Sequence, residues 1–197
     1  TYTGSKAGTY GTFTIDAATG AWKYDLNNAS AQALAAGEVK TETFAVTVTD
    51  DKGATATQNV VVTVTGSNDV PVISTTTTAT GAVVEDGTLS ATGTVASSDV
   101  DVTGKTATYT GSKAGTYGSF TIDAATGAWK YDLDNASHQN LDEGEVKTEV
   151  FTVTVTDDKG ATATQNVTVK VTGTNDLPVV SATSDRAVSF QEAGPTA

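Results

Sequence analysis

The chain has 197 residues, enough for one or two domains, and its 11 basic and 23 acidic residues give a net charge of -12. Such a surface repels nucleic acid and anionic membranes and attracts divalent cations. There is no cysteine, so disulfides and thiolate metal sites are excluded. No apolar run approaches the ~20 residues of a membrane span. We therefore expect neither nucleic-acid binding nor membrane insertion.

An internal repeat organises the chain. Thr1 aligns with Thr108 without gaps, and about 60 of the 73 pairs that follow are identical, which is typical of whole-domain duplication. The stretch Thr65-Gly66-Ser67-Asn68-Asp69-Val70-Pro71 returns as Thr172-Gly173-Thr174-Asn175-Asp176-Leu177-Pro178. Because Gly, Asn and Pro interrupt a sheet, this stretch separates domains. We predict the end of a first repeat at 1–67, a complete repeat at 68–174 and the start of a third at 175–197.

Within the first copy, apolar residues alternate with polar ones. Phe13 and Ile15 precede a turn that ends at Gly20, and Trp22, Tyr24 and Leu26 follow it, which predicts a hairpin with one buried face. The tryptophans and tyrosines of this face are expected in the core rather than on a carbohydrate-stacking platform. The candidates are Trp22, Tyr24, Trp129 and Tyr131.

A second hairpin is predicted further along the chain. Its strands contain Phe44, Val46 and Val48, then Val60, Val62 and Val64, with a turn at 50–53 between them. Between the two hairpins, residues 30–36 are expected to form one helical turn, with Ser30 as the N-cap and Gly37 just past its end.

The complete repeat adds strands near 72–76, 89–96 and 105–110. About seven short strands with regular turn signals favour an all-β fold, in which immunoglobulin-like antiparallel β-sandwiches are joined end to end. The first copy lacks the opening strands, so it should expose a sheet edge and part of its core. Residues 178–197 could complete the first copy of a neighbour, which makes a strand swap with a second chain an open hypothesis.

These residues together resemble the VCBS repeat, a cadherin-like domain found in tandem in giant bacterial surface adhesins of the RTX type. The resemblance rests on the block from Gly8 to Leu26, on its copy from Gly115, on the Glu85-Asp86-Gly87 turn and on the two linkers. It covers nearly the whole chain and implies a secreted or cell-surface extender repeat. Such a repeat would project a binding tip for adhesion or biofilm formation, with neighbouring repeats of the same chain as its partners.

The looser likeness to cadherins implies Ca²⁺ at the junctions, and oxygen ligands of this kind are the ones that calcium selects. At the first junction the implied ligands are Asn68, Asp69, Asp99, Asp101 and Asp157. At the second junction they are Glu85, Asp142 or Glu143, Asn175 and Asp176.

Two departures from the cadherin pattern predict weaker metal binding. Gly66 and Gly173 stand where cadherin linkers carry an Asp, so fewer ions are expected at each junction. Ala35 and Ala36 replace Asp142 and Glu143 in the first copy. Without the resemblance, Asp99 and Asp101 are equally well explained as turn residues, and Asp157 as part of a hairpin turn.

No catalytic motif is apparent. His138 is the only histidine and aligns with Ala31, and the chain has no nucleophile elbow, phosphate loop or His-Glu-x-x-His. We expect no enzyme activity. The alternatives to a spacer are a module that binds carbohydrate or protein through loops at the sandwich ends, and an accessory domain of a secreted hydrolase.

Overall fold

The structure is a computed structural model that describes residues 1–101, 107–178, 180 and 191. The predicted all-β fold is confirmed. We call residues 1–65 repeat one, 66–71 the upper linker, 72–172 repeat two and 173–178 the lower linker. Most of the predicted third repeat at 175–197, and of the segment 178–197 invoked for a strand swap, lies outside the described residues.

Repeat one contains six strands and one helical turn. They are β1 (Tyr2–Thr3), β2 (Lys6–Ala7), β3 (Gly11–Ile15), β4 (Trp22–Leu26), α1 (Asn28–Ala31), β5 (Val39–Thr49) and β6 (Thr55–Thr65). The strands form two antiparallel sheets, in the orders β1-β5-β6 and β2-β3-β4. Both predicted hairpins are present, with Ile15 opposite Trp22 and Thr49 opposite Thr55.

The described residues of repeat two, 72–101 and 107–172, contain ten strands and one 3-10 turn. They are β7 (Val72–Ile73), β8 (Thr80–Val84), β9 (Ser90–Thr94), β10 (Ser97–Ser98), β11 (Thr108–Thr110), β12 (Lys113–Ala114), β13 (Gly118–Ile122), β14 (Ala128–Leu133), a 3-10 turn (Asn135–Ser137), β15 (Val146–Thr156) and β16 (Thr162–Thr172). Two four-stranded sheets, β11-β15-β16-β8 and β12-β13-β14-β9, face each other, and β7 pairs with β10. Residues 105 and 106 of the strand expected at 105–110 lie outside the described residues.

The core of repeat two lies between its two sheets. It is built from inward side chains that alternate along each strand, as the period-two pattern predicts. The buried members are Val83, Val95, Tyr109, Phe120, Trp129, Tyr131, Leu133, Leu141, Phe151, Val153, Val155, Val167, Val169 and Val171. Gly93 makes room for the indole of Trp129, because a Cβ at residue 93 would lie 2.7 Å from Cε2 of that ring.

Three features differ from the sequence-based expectations. The helical turn of repeat one starts at Asn28, after Asn27, so Ser30 lies inside the helix and is not its N-cap. Strand β8 was not anticipated, and it runs parallel to β16 in an otherwise antiparallel architecture. Trp22 is 53% exposed, whereas its counterpart Trp129 is 2% exposed, so the core assignment is wrong for Trp22.

The exposure of Trp22 follows from the strands that flank it. In repeat two, β14 pairs with β9 and β16 pairs with β8. Among the described residues of repeat one, β4 and β6 have no such neighbours. The face that β8 and β9 cover in repeat two is therefore open in the described repeat one.

Candidate metal centre at the repeat junctions

The upper linker begins at a glycine that the fold requires. The Gly66 N–H donates to the carbonyl of Glu38 (2.8 Å), and its carbonyl accepts from Gly37 (3.1 Å), which continues the β5-β6 pairing past the end of the strands. A Cβ at residue 66 would lie 2.7 Å from the carbonyl carbon of Leu34. A side chain at this position is therefore excluded by packing, and Gly173 is enclosed in the same way by Leu141 and Asp142.

The upper linker is tied to the top of repeat two by carboxylates. The Asn68 side-chain amide donates to Oδ2 of Asp157 (2.8 Å) and to the carbonyl of Asp69 (2.8 Å). The Asp69 N–H donates to Oδ2 of Asp101 (3.2 Å), and the Asp101 N–H donates to Oδ1 of Asp99 (3.0 Å). These contacts bring together all five residues that the likeness to cadherins implies for this junction.

Two of these carboxylates are buried, and two carboxylate oxygens have no partner. Asp101 is 2% exposed and Asp157 is 7% exposed. Oδ1 of Asp101 and Oδ2 of Asp99 are buried and receive no hydrogen bond from the residues that the structure describes. The hydrogen bond from Asn68 lowers the pKa of Asp157 below its usual value, against the opposing effect of desolvation. Asp157 is therefore anionic at neutral pH.

Glu85 occupies the opposite end of repeat two, where β8 ends. Its side chain is fully buried. Oε2 accepts from the Thr174 N–H (3.0 Å) and the Glu85 carbonyl accepts from the Thr174 hydroxyl (3.3 Å), while the Glu85 N–H donates to Thr172 O (2.9 Å). Oε1 of Glu85 is buried and has no hydrogen-bond partner among residues 1–101 and 107–178. Glu85 thus fastens the lower linker to β8 and keeps one oxygen free.

The other residues proposed for the lower junction are placed less tightly. The Asn175 amide donates to the carbonyl of Asp176 (3.3 Å), as Asn68 does to Asp69. Asp142 and Glu143 are exposed, and the Asp142 N–H donates to Glu145 (3.1 Å). No hydrogen bond within the described part of the chain joins Glu85 to Asp142 or Glu143.

These donors suit a hard cation such as calcium. Burying a carboxylate oxygen without a partner is costly, and the unpartnered oxygens lie where the linkers meet repeat two. All the donors are hard oxygens, which suit Ca²⁺. Among the described residues, no three Asp, Glu or His side chains form a ready-made metal cluster. Asn amide and backbone oxygens would therefore have to complete the coordination.

One further buried carboxylate, Glu149, is not among the residues that the sequence analysis names. Glu149 on β15 accepts hydrogen bonds from the Tyr131 hydroxyl and from the N–H groups of Thr116 and Tyr117. It is 8% exposed and all these partners are internal, so we assign it a structural role. The internal repeat preserves this tyrosine–glutamate pair, because Tyr24 and Glu42 form the equivalent hydrogen bond in repeat one.

His138 has an ordinary structural environment. Its Nδ1 lies 3.0 Å from the carbonyl of Asp134, and its ring packs edge-on against Tyr117 with 5.1 Å between ring centroids. Asp86 was quoted only as part of a turn motif, yet it binds Asn135 (2.7 Å) and Gln139 (3.2 Å) at the lower end of repeat two. Packing against Tyr117 explains the position of His138, and turn formation explains the contacts of Asp86.

The fold and the acidic junctions define a tandem cadherin-like β-sandwich protein. A family model described as the bacterial cadherin-like domain matches residues 1–66 and 68–173. The chain belongs to this family. Domains of this class serve as extracellular adhesion or spacer modules, and the match does not extend to the VCBS repeat in particular. A search of curated proteins gives no match.

Solved cadherin structures share the fold. The crystal structure of mouse Cadherin-23 EC22-24 is 17% identical, with a TM-score of 0.51, and the match covers 88% of this chain and 53% of that one. The extracellular domain of Protocadherin GammaB4 is 18% identical, with a TM-score of 0.49, over 88% of this chain and 26% of that one. The chain thus spans about half or less of these structures, and at 17% identity the likeness to Cadherin-23 shows the fold alone.

The helical segments of the described residues are short. None has both the length and the apolar character that a membrane-crossing helix requires.

Proposed function

We propose that this chain is an extender segment of a bacterial surface adhesin, in which interdomain calcium stiffens the junction between successive sandwiches. The observation that carries the proposal is the position of the unpartnered carboxylate oxygens. Asp101 at the top of repeat two and Glu85 at its foot are both buried, and each also binds the adjoining linker. Each has one carboxylate oxygen without a hydrogen-bond partner within the described part of the chain.

The physical argument concerns the entropy and charge of the linker. Fixing each linker residue costs roughly 1 to 2 kcal/mol, and the hydrogen bonds from Asn68 and Asp69 offset part of this cost. Asp99, Asp101 and Asp157 repel one another when no cation is present. A bound Ca²⁺ would supply positive charge to oxygens from both the linker and repeat two, so metal binding and stiffening become one event.

The affinity expected for such a junction matches an extracellular setting. Calcium sites in extracellular modules have dissociation constants of ~10⁻⁴ to 10⁻³ M, so rigidity would follow millimolar external calcium. A cell-surface location, secretion as part of an RTX-type adhesin, and a role in adhesion or biofilm formation belong to this proposal. We infer a mechanical role without enzymatic activity.

The rival function, a carbohydrate- or protein-binding module, is less well supported. In repeat two the large aromatic side chains Phe120, Trp129, Tyr131 and Phe151 are buried. Among the described residues, the exposed tryptophan is Trp22 on the open face of repeat one, and not on a loop at a sandwich end. The burial of these aromatic side chains therefore favours a spacer over a module that binds ligands through exposed aromatic residues.

Small-angle X-ray scattering of the 197-residue chain tests the proposal. We expect calcium at a few times its dissociation constant to narrow the distribution of end-to-end distances and to increase the radius of gyration, because the joint at residues 66–71 becomes rigid. Chelator should reverse the change. Magnesium is the control, since it holds its water shell and demands a smaller octahedral site. Identical scattering in calcium and in chelator would contradict the proposal.

A further inference from the structure

Strands β8 and β16 run side by side in the same direction, toward the foot of repeat two. Their register places Thr80 opposite Thr168 and Val84 opposite Thr172. Among the described residues, every other pairing between strands is antiparallel. The upper linker precedes β8 in the chain, and the lower linker follows β16 directly. The parallel pair thus joins the strand nearest one linker to the strand that continues into the other.

Backbone hydrogen bonds hold this pair at both of its ends. The Thr168 N–H donates to the carbonyl of Ala79 (2.9 Å), and the Glu85 N–H donates to the carbonyl of Thr172 (2.9 Å). The contact continues past the end of β16, because the Thr174 N–H donates to Oε2 of Glu85 (3.0 Å) and the Thr174 hydroxyl donates to the Glu85 carbonyl (3.3 Å). The lower linker is therefore bound to the end of β8 as well as to β16.

The core fixes the register of the two strands. Val83 on β8 and Val171 on β16 are opposite neighbours, and both side chains are fully buried. Sliding β8 by one residue would turn Val83 toward solvent and put Ala82 or Val84 in its place. The hydrogen bonds cannot re-form in a shifted register without loss of core packing, so sliding has to break them together.

Tension along a row of repeats would act on this pair in the sliding direction. The upper linker would pull β8 by its first residue, and the lower linker would pull β16 by its last. Since the strands point the same way, the two pulls draw them past each other along their length. All the hydrogen bonds between them are then loaded at once, whereas a pull on two adjacent strand ends would break them one after another.

The chain between the upper linker and β8 is held more weakly. Val72 and Ile73 pair with Ser98 and Ser97, and the Ser74 N–H donates to the carbonyl of Ala96 (2.8 Å). The β7–β10 pairing covers two residues of each strand, whereas the β8–β16 pairing covers five. The shorter pairing should yield first and pass the load on to β8.

We infer that the β8–β16 pair, extended by the contact between Glu85 and Thr174, is a mechanical clamp that sets the resistance of repeat two to stretching. The proposed extender role supplies the tension. The clamp itself needs no metal, because its contacts are backbone hydrogen bonds, one carboxylate contact and core packing. It therefore keeps the repeat folded under load, which is a different task from stiffening the joints.

Force measurements on single molecules of the 197-residue chain test the clamp. The chain has no cysteine, so a pair of introduced cysteines defines where the force acts. Val70→Cys with Leu177→Cys pulls the two strands past each other, at side chains that are 55% and 85% exposed. Thr88→Cys with Leu177→Cys places both attachments at the foot and peels β8 from β16. All measurements are made in chelator, and circular dichroism verifies that each variant is folded.

We expect unfolding at constant force to be at least about tenfold slower for the Val70 pair than for the Thr88 pair. Each typical hydrogen bond is worth about twofold to tenfold in a rate, and sliding breaks several at once. Resistance to force is governed by the unfolding rate, so this rate is the quantity to measure. Thr80→Cys with Leu177→Cys is the control, since it pulls on β8 directly and leaves β7 out of the force path. It should retain the slow rate.

The outcomes separate the clamp from the calcium-stiffened joint. Equal unfolding rates in the sliding and peeling geometries would overturn the clamp. Fast unfolding of the Thr80 pair would also overturn it, because the contacts that precede β8 would then bear the load. If calcium left the X-ray scattering unchanged, the stiffened joint would be lost and the clamp would stand, since its test is made in chelator.

Discussion

At the scale of single residues, Tyr131 and Glu149 join the two sheets of repeat two through a buried hydrogen bond. Replacing Tyr131 by Phe keeps the ring and leaves a carboxylate oxygen without its donor. The expected loss is about 1 to 3 kcal/mol in the free energy of unfolding, the usual cost of orphaning a buried acceptor. Urea denaturation followed by circular dichroism measures it.

Tyr24→Phe is the matched control for that substitution. Tyr24 and Glu42 make the same pair, but both are only half-buried in repeat one, so water can replace the lost donor. We expect a smaller effect there. Equal losses in the two variants would mean that burial does not decide the cost.

The same pairs predict how stability depends on alkaline pH. Desolvation, the hydrogen bond to Glu42 and the charge of Glu42 together raise the pKa of Tyr24 to about 12, and burial beside Glu149 raises the pKa of Tyr131 still more. A raised folded-state pKa contributes stability that is complete below the ordinary tyrosine value of about 10 and is lost as pH rises through the folded value. Ultraviolet titration should show Tyr24 ionising near 12, and Tyr131 ionising only as repeat two unfolds.

At the scale of secondary-structure elements, the two tryptophans report which sheet edges are covered. Trp22 on β4 is 53% exposed and Trp129 on β14 is 2% exposed, because β8 and β9 cover only the second. Trp129→Phe should leave red-shifted fluorescence that acrylamide quenches readily. Trp22→Phe should leave blue-shifted, protected fluorescence. Similar quenching in both variants would show that the open face of repeat one is covered, as a strand swap with a second chain would do.

Element prediction succeeded where period-two patterns were strong and failed where packing set the outcome. The hairpins around residues 16–20 and 50–53 follow from alternating apolar residues and turn signals. Strand β8 (Thr80–Val84) was missed because Gly81 and Ala82 carry little apolar signal and its pairing to β16 is parallel and distant in sequence. The helical turn starts earlier than its Ser30 suggested, since several polar residues there can begin a helix.

At the junction, too, some features could be predicted before the structure was known and others depend on packing. The likeness to cadherins implied which side chains belong to the upper junction, and the structure brings them together through hydrogen bonds. Their role as metal ligands stays a prediction. The sequence did not predict which carboxylate oxygens would be buried without a partner among the described residues. That property depends on packing between elements, which an alternating pattern does not specify.

At the scale of the whole molecule, repeat two carries a proposed metal junction at each end. Asp99, Asp101 and Asp157 meet the upper linker, whereas Glu85 meets the lower linker. Glu85 follows directly from β8, which runs parallel to β16, so the foot of the repeat is fastened to the strand that continues into the next linker. Tandem copies would thus place an acidic joint between every pair of sandwiches.

This arrangement predicts that the two junctions act separately in the 197-residue chain, because only the upper linker joins two sandwiches within the described residues. Asp101→Asn removes a charge but retains an acceptor for the Asp69 N–H, and it should abolish the calcium-dependent change in X-ray scattering. Glu85→Gln should preserve that change while reducing the amount of calcium bound in a titration. Circular dichroism in chelator establishes that both variants are folded. If Glu85→Gln abolished the scattering change, or Asp101→Asn preserved it, stiffening would not arise at the upper linker.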